Sequence, residues 1–130
     1  MDAVIESIPV LTEFVDRELE KAGCPMKPKM QIDIAIDELF GNIAHYAYES
    51  GVGKATVRFE LDDTGLASLI FLDQGKPYNP LENQDPDVTL SAEERKIGGL
   101  GIFMVKKTMD EVHYEYADGW NMLTIRKQIR

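Results

Sequence analysis

A carboxylate and a carboxamide stand one helical turn apart in DELFGNIAHYAY, within the most apolar helical stretch of the 130-residue chain. Because residues spaced i, i+4 project from one face of a helix, Glu38 and Asn42 are expected to point the same way. A buried carboxylate needs a partner, so this pair predicts a cavity that holds water, a metal or a ligand. Gly41 supports that interpretation, since glycine inside a helix often marks the close approach of another group. The alternative is that the pair belongs to a solvated stripe shared with Asp33 and Asp37.

A second polar group follows the apolar run Leu69-Ile70-Phe71-Leu72, at the start of Asp73-Gln74-Gly75-Lys76-Pro77. An aspartate at the end of a strand can accept a hydrogen bond from an amine. Gly75, which has no side chain, would let a ring lie against the backbone. The same residue types are common in plain turns, so this segment alone leaves a ligand site and a turn both open.

The third candidate is Gly98-Gly99-Leu100-Gly101, directly before a helix predicted for Ile102 to Met109. Glycines expose backbone N–H groups and a helix N-terminus favours anions, so this segment is a candidate phosphate cradle. It does not match two better-known phosphate loops. The pattern GxxxxGK[ST] is absent, and the glycines follow a polar loop instead of the strand that a dinucleotide-binding fingerprint requires. A glycine-rich hinge is the alternative.

Two helices that could position these groups are predicted before the first strand. The first has Ser7 as its N-cap, Pro9 in its first turn, an apolar stripe of helical period and Gly23 after its end. The second runs from Lys29 to about Tyr48 and carries apolar residues on almost every side, which is typical of a buried helix.

Two β-hairpins are predicted from alternating apolar and polar residues. Their strands are Ala55 to Leu61 with Leu66 to Leu72, around Asp62-Asp63-Thr64-Gly65, and Val112 to Tyr116 with Met122 to Ile129, around Asp118-Gly119. The dipeptide of the second hairpin suits a type I′ turn. Helices on one face of a mostly antiparallel mixed sheet give a two-layer α+β sandwich.

A polar segment, Tyr78 to Lys96, separates the two hairpins. Its one local signal is Ser91-Ala92-Glu93-Glu94, a capping box that predicts a short helix. So long a weakly structured loop inside a compact domain is usually functional.

The composition is that of an ordinary globular protein, and the chain is expected to form one domain, 1–130. Its net charge of −9 argues against nucleic acid as a partner, because binding a phosphate backbone depends on clustered lysine and arginine. No apolar run approaches the roughly 18 residues of a membrane span, and the N-terminus lacks the pattern of a secretory signal. We therefore predict a cytoplasmic protein without membrane contact. The single Cys24 suits a reducing compartment.

The three polar segments, taken together and in this order, indicate a protein family more specifically than any one of them does alone. The chain has, in order, a helix with Glu-x-x-x-Asn, a strand end with Asp-x-Gly-x-Pro, a polar loop and Gly-Gly-x-Gly opening a helix. This series of motifs resembles the N box and the two glycine boxes of a superfamily of ATP-binding domains. That superfamily, with the Bergerat fold, includes gyrase, heat-shock chaperones, histidine kinases and mismatch-repair proteins. The resemblance covers nearly the whole chain. The extra N-terminal helix and the stretch ERKIGGLGI make the chain look like the bacterial anti-sigma-factor serine kinases.

The resemblance implies a role for each candidate residue. Asn42 would ligate the Mg²⁺ that bridges the phosphates of ATP, Asp73 would accept from the adenine amino group, and Gly75 would let the adenine edge approach. Glu38 would be the general base that takes the proton from the attacking hydroxyl. The loop at about 78–97 would be the lid over the nucleotide. The nucleotide would also be held by residues at and before the second glycine box: Lys96, Gly98, Gly99, Leu100 and Gly101.

Two departures from the family pattern bear on the chemistry. The family often has histidine four residues after the asparagine, where this chain has Tyr46; His45 comes one residue earlier, and neither receives a catalytic role. A basic lid residue often reaches the terminal phosphate in the family. Here the position nearest the glycines is Ile97, so Lys96 or Arg95 would have to serve as the basic lid residue. This departure affects phosphoryl transfer more than ATP binding.

The function implied by the resemblance is an ATP-dependent serine kinase that phosphorylates a small anti-anti-sigma-type (STAS) protein, with a sigma factor as a second candidate partner. ATP and Mg²⁺ are the implied cofactors, and a homodimer is the implied assembly. Three alternatives stay open: a non-catalytic binding module gated by ATP or ADP, an ATP hydrolase that uses the same Glu38, and a detached histidine-kinase catalytic domain.

Overall fold

The computed structural model describes residues 1–48, 53–82 and 99–130. The elements in these ranges are, in chain order, a 3₁₀ turn Ile5–Ser7, α1 (Ile8–Lys21), α2 (Met26–Tyr46), β1 (Ala55–Leu61), β2 (Leu66–Asp73), a 3₁₀ turn Pro80–Glu82, α3 (Gly99–Thr108), β3 (Glu111–Ala117) and β4 (Trp120–Gln128). The predicted capping box at 91–94 lies outside the described residues. Among the helices of these ranges, none has the length and apolar character needed to cross a bilayer.

The four strands of the described ranges form one sheet in the order β1-β2-β4-β3, and each neighbouring pair is antiparallel. Both predicted hairpins are confirmed. In the first turn, the Asp62 carboxylate accepts hydrogen bonds from the N–H groups of Thr64 and Leu66, at 2.9 and 3.0 Å. In the second, Asp118 and Gly119 have φ of 54° and 84°, and a type I′ turn needs positive φ at both positions. In this strand order, the two central strands are β2 and β4.

The helices lie against one face of this sheet. Alternate residues of β2 and β4 are buried on that face, and the apolar sides of α1, α2 and α3 pack onto them. Among the described residues, the largest fully buried side chains are Val15, Leu19, Ile32, Ile36, Leu39, Phe40, Leu69, Phe71, Val105, Ile125 and Ile129. The predicted two-layer α+β sandwich is confirmed.

Helix α1 follows its prediction with one difference. Pro9 lies in its first turn, and Gly23 follows its end with φ of 74°. Ser7 precedes the helix, but its hydroxyl donates to the Asp2 carbonyl at 2.8 Å and makes no cap hydrogen bond. Ser7 therefore holds the N-terminal residues near the start of α1 instead of capping the helix.

Helix α2 differs from its prediction at its start and in its burial. It begins at Met26, three residues before Lys29, because Pro28 lies in the first turn, where the helix needs no N–H donor. Met26, Met30 and Ile34, spaced by four residues, are 65%, 54% and 50% exposed. The prediction of a helix buried on every side is wrong, because the sheet and the neighbouring helices cover only part of α2.

The glycine-rich segment before the third helix is partly helical itself. Helix α3 begins at Gly99, so Gly99 and Gly101 lie in its first turn, and the prediction of a start at Ile102 is wrong. The first N–H groups of a helix have no partner inside it, so glycine is tolerated there and the donors remain available to an anion. The candidate phosphate cradle is therefore the first turn of α3.

Candidate functional site

A recess lies between the C-terminal half of α2 and the adjoining ends of β2 and β4. It encloses about 420 Å³, a volume that includes the solvent-filled space at its open mouth. Its apolar lining includes Leu39, Ile43, Ala47, Phe71, Pro80 and Leu123. Its polar lining consists of Asn42, Asp73, Lys76, Tyr78, Tyr114 and Asn121. The structure thus brings the predicted Asn42 and Asp73 to one cavity.

Asp73 is buried at the end of β2, with 4% of its surface exposed. Its Oδ1 accepts two hydrogen bonds, from the backbone N–H of Gly75 and from the Asn121 side-chain Nδ2, both at 2.9 Å. Its second oxygen, Oδ2, makes no hydrogen bond within the described residues. A carboxylate oxygen without a donor can still accept a hydrogen bond, so Oδ2 is the acceptor that this residue can offer to a ligand.

Gly75 lies where the end of α2 meets the segment after β2. A Cβ at this position would collide with the backbone carbonyl of Ala47, and the N–H of Lys76 donates to that same carbonyl at 2.9 Å. A side chain at position 75 would therefore push α2 away from Asp73. Helix packing is a reason for this glycine that the sequence analysis did not include, and the expected approach of a ring remains a prediction.

Glu38 lies against the first turn of α3. A Cβ at Gly101 would overlap the Glu38 carboxylate, so the glycine makes room for this side chain. Partial burial raises the pKa of the Glu38 carboxyl above its ordinary value, and the negative charge of Asp37 raises it further. The structure thus brings the predicted base to the helix turn that carries the second glycine box.

The other predicted residues fall into two groups. Lys96 and Gly98 lie outside the described residues, while Gly99 and Leu100 belong to the first turn of α3.

A Cβ at Gly41 would meet no atom within 4 Å in the described part of the chain. The surroundings of Gly41 therefore do not support the inference that this glycine marks a close approach.

Tyr46 stands where the resembled family often has histidine. Its ring is 53% exposed, and its centroid lies 6.2 Å from that of Tyr78. Tyr78 lines the recess and begins the polar segment, so Tyr46 connects α2 to the start of that segment. His45 is exposed, and its ring centroid lies 6.0 Å from that of Tyr46.

Asn121 is a site residue that the sequence analysis missed. It is 6% exposed, it pairs with Asp73 across β2 and β4, and its side chain donates to the Asp73 carboxylate. One signal could have found it, because the alternation of β4 places Asn121 on the same inward face as Leu123 and Ile125. An asparagine at an inward position of an apolar strand needs hydrogen-bond partners, which indicates a polar site.

A known domain family, described as the histidine kinase-like ATPase domain, matches residues 1–127. Several protein kinases are similar in sequence, and two of them are described below. The serine/threonine-protein kinase BtrW of Bordetella bronchiseptica is 29% identical over 98 residues, which cover 75% of this chain and 68% of BtrW. The serine-protein kinase RsbW of Bacillus licheniformis is 28% identical over 96 residues, covering 68% of this chain and 58% of RsbW. The chain thus spans between about half and two thirds of the length of these relatives.

Several solved structures have a similar fold, and two of them are described below. The histidine kinase domain of the blue-light activated kinase EL346 of Erythrobacter litoralis superposes with a TM-score of 0.61 at 12% identity, covering 81% of this chain and 46% of that one. The mycobacterial sensor histidine kinase MprB superposes with a TM-score of 0.55 at 23% identity, covering 78% of this chain and 72% of that one. At such identities the likeness concerns the fold alone.

Proposed function

The chain belongs to the family of histidine kinase-like ATPase domains, and on that premise we propose that it is an ATP-dependent protein-serine kinase. One observation carries the proposal. A buried carboxylate with one uncommitted oxygen, Asp73 Oδ2, lines the same cavity as the asparagine of α2. The similar sequences named as serine and serine/threonine-protein kinases support the same reaction class.

The adenine of ATP is proposed to lie in the recess. Its exocyclic amine would donate to Asp73 Oδ2, the acceptor that makes no hydrogen bond within the described residues. Apolar side chains such as Leu39, Ile43 and Phe71 would contact the faces of the ring, and they line the recess. The one uncommitted oxygen of Asp73 suits a flat base with one amino group.

The phosphates and Mg²⁺ are proposed to lie between Asn42 and the first turn of α3. The residues fit a magnesium ion that arrives with the nucleotide, because Mg²⁺ takes oxygen ligands, keeps several waters and needs few protein groups beside substrate phosphates. Asn42 supplies an amide oxygen in the wall of the recess, and no cluster of three or more His, Cys, Asp or Glu side chains occurs among the described residues. The N–H groups of the first turn of α3 would face the phosphate oxygens.

Glu38 is proposed as the general base of phosphoryl transfer. The serine oxygen forms a bond to the γ-phosphorus, the bond from that phosphorus to ADP breaks, and the serine proton passes to the Glu38 carboxylate. The raised pKa of Glu38 suits this role, because a base whose pKa lies closer to the working pH accepts a proton more readily. Its contact with Gly101 places it beside the turn proposed to hold the phosphates.

The proposed substrate is a small anti-anti-sigma-type (STAS) protein, with a sigma factor as a second partner and a homodimer as the assembly. These finer assignments rest on the resemblance to anti-sigma-factor serine kinases.

The test is a transfer assay with γ-labelled ATP, Mg²⁺ and a candidate STAS protein. We expect phosphoserine with the parent protein and a loss of at least about 100-fold with Glu38→Gln, since general bases contribute roughly 10²–10⁴-fold. ATP affinity should stay unchanged. Glu60→Gln is the matched control, because Glu60 is exposed on β1 and should leave transfer intact.

Other outcomes identify the alternatives. ATP binding without phosphoserine on any candidate, even in the parent, would favour a nucleotide-gated binding module. Free phosphate released without a protein acceptor would favour an ATP hydrolase. Phosphohistidine on an added histidine-containing domain would favour a detached histidine-kinase catalytic domain.

A further inference from the structure

Asn121 occupies the centre of a hydrogen-bond network inside the recess. Its Oδ1 accepts from the backbone N–H of Tyr78 at 3.3 Å and from the Tyr114 hydroxyl. The two hydrogens of its Nδ2 are shared among three acceptors: Asp73 Oδ1 at 2.9 Å, the Lys76 carbonyl at 3.0 Å and the Gly75 carbonyl at 3.3 Å. The side chain is 6% exposed, so these contacts take the place of water.

The partners determine which way the carboxamide faces. A backbone N–H can only donate and a backbone carbonyl can only accept. Exchanging the oxygen and nitrogen of Asn121 would place its NH₂ group against the N–H of Tyr78 and its oxygen against the carbonyl of Lys76. Both contacts would be repulsive, so the NH₂ group must face Asp73. In this orientation the Tyr114 hydroxyl donates to Asn121 Oδ1 and holds the side chain in place, although a hydroxyl can donate or accept and does not itself choose the orientation.

The result is that the two oxygens of Asp73 are not equivalent. Oδ1 is committed to Asn121 and to the N–H of Gly75, and Oδ2 is left as a single acceptor. A single acceptor matches adenine, whose Watson–Crick edge has one amino group. Guanine presents two adjacent donors, N1–H and the 2-amino group, which a carboxylate binds best with both oxygens.

We propose that Asn121, held in place by Tyr114, is a positioning residue that commits one oxygen of Asp73 and thereby makes the site select adenine over guanine. The inference rests on the proposed function, because it assumes that the recess holds the base of ATP. It goes further by assigning the choice of base to a residue that acts through Asp73.

The test compares dissociation constants for three magnesium nucleotides: ATP, GTP and purine riboside triphosphate, which lacks the 6-amino group. Isothermal titration would measure them on the parent and on Asn121→Ala. We expect the parent to prefer ATP over both others by about tenfold or more, since a hydrogen bond to a charged group corresponds to roughly that factor. In Asn121→Ala, the affinity for ATP should fall about tenfold, and the affinity for purine riboside triphosphate should change by less than about twofold. The difference in affinity between ATP and GTP should therefore become smaller.

Tyr114→Phe is the second variant, and it keeps the test decisive if Asn121→Ala does not fold. It removes the hydroxyl that donates to Asn121 while leaving the ring, so it should lower the preference for ATP in the same direction by a smaller factor. Tyr116→Phe is its matched control, because Tyr116 lies two residues along β3, is 45% exposed and should bind all three nucleotides as the parent does.

Two results would overturn the inference, and they differ from each other. If both variants lose affinity equally for all three nucleotides, Asn121 only supports the fold of the segment after β2, and the kinase proposal stands. If the parent binds none of the nucleotides, the recess is not a nucleotide site, and the proposed function is wrong together with this inference.

Discussion

At the scale of single residues, the surroundings of Glu38 decide its chemistry. Its pKa is raised by partial burial and by Asp37, and its carboxylate lies against a glycine of α3. The spacing of Glu38 and Asn42 is a local property of one helix. The contact with Gly101 joins positions 63 residues apart, 38 and 101, and exists only because α2 and α3 pack together.

Gly101→Ala tests this contact. The added methyl group would overlap the Glu38 carboxylate and force the side chain to a new rotamer. We expect the rate of phosphoryl transfer to fall by one to two orders of magnitude, because a displacement of about 1 Å at a reacting group can cost 10²-fold. Thermal stability should stay equal or rise slightly, since alanine favours a helix over glycine by about 1 kcal/mol.

Gly41→Ala is the matched control in the neighbouring helix. A Cβ there meets no atom of the described residues within 4 Å, so transfer should stay at the parent rate. Equal rates for the parent and both variants, measured by single-turnover transfer from labelled ATP, would show that the position of Glu38 does not limit the reaction.

At the scale of elements, α1 and α2 are joined by an acidic pair. Asp16 and Asp33 are within hydrogen-bonding reach of each other, and the Oδ1 atom of each is buried without a donor in the described part of the chain. Burial and the neighbouring Asp16 raise the pKa of Asp33 to about 7. Lys29, 3.8 Å from Asp16, opposes this rise, and Glu20 adds to it. A proton shared by the two carboxyls would satisfy both buried oxygens.

This pair predicts that stability falls as pH rises from about 4 to about 7. Asp33 has a pKa of about 7 when folded and an ordinary value of 3.8 when unfolded, so the folded state binds more protons between these limits. The stabilisation is fully present below the lower value and is lost as pH passes through the upper one. Asp33→Asn should reduce the fall in the free energy of unfolding as pH rises. Urea unfolding at roughly pH 5, 6, 7 and 8 measures this slope, because these values lie on both sides of the folded pKa of Asp33.

Asp63→Asn, in the exposed first hairpin turn, is the control and should keep the slope of the parent. An unchanged slope in Asp33→Asn would assign the pH dependence to other carboxyls.

At the scale of the whole molecule, the two layers bring three distant segments to one place. The N box lies on α2, the aspartate ends β2, and the second glycine box opens α3; α2 contacts both of the others. The recess forms where the end of α2 meets the ends of the two central strands. A nucleotide bound there would contact both layers and should therefore stabilise the whole fold.

A thermal-shift titration measures that stabilisation. Magnesium ATP at about 100 times its dissociation constant adds roughly 2.7 kcal/mol, which corresponds to a rise in Tm on the order of 10 °C for a domain of this size. In Asn42→Ala and Asp73→Asn, ATP should cause only a small part of this rise in Tm. In the parent, GTP should raise Tm only slightly. Asp63→Asn, in the exposed first hairpin turn, is the control and should keep the full shift. A full shift in Asp73→Asn would show that ATP binds elsewhere.

Several features of this protein could be predicted from the sequence because they depend on neighbouring residues. The hairpins follow from alternation and from turn residues such as Asp118-Gly119, whose backbone preferences are local. The fold class follows from the order of periodic segments. The three motif segments could be found because each is a short run of special residue types.

The tertiary structure decided what depends on contacts between distant segments. Asn121 pairs with Asp73 through a strand register that joins residues 48 apart, and no local pattern states that register. Gly75 and Gly101 are glycines because α2 and its C-cap bring the Ala47 carbonyl and the Glu38 carboxylate close to them. The exposed side of α2 depends on how much of that helix its neighbours cover. Spacing along the chain therefore predicted the elements and the candidate groups, whereas packing decided which groups meet.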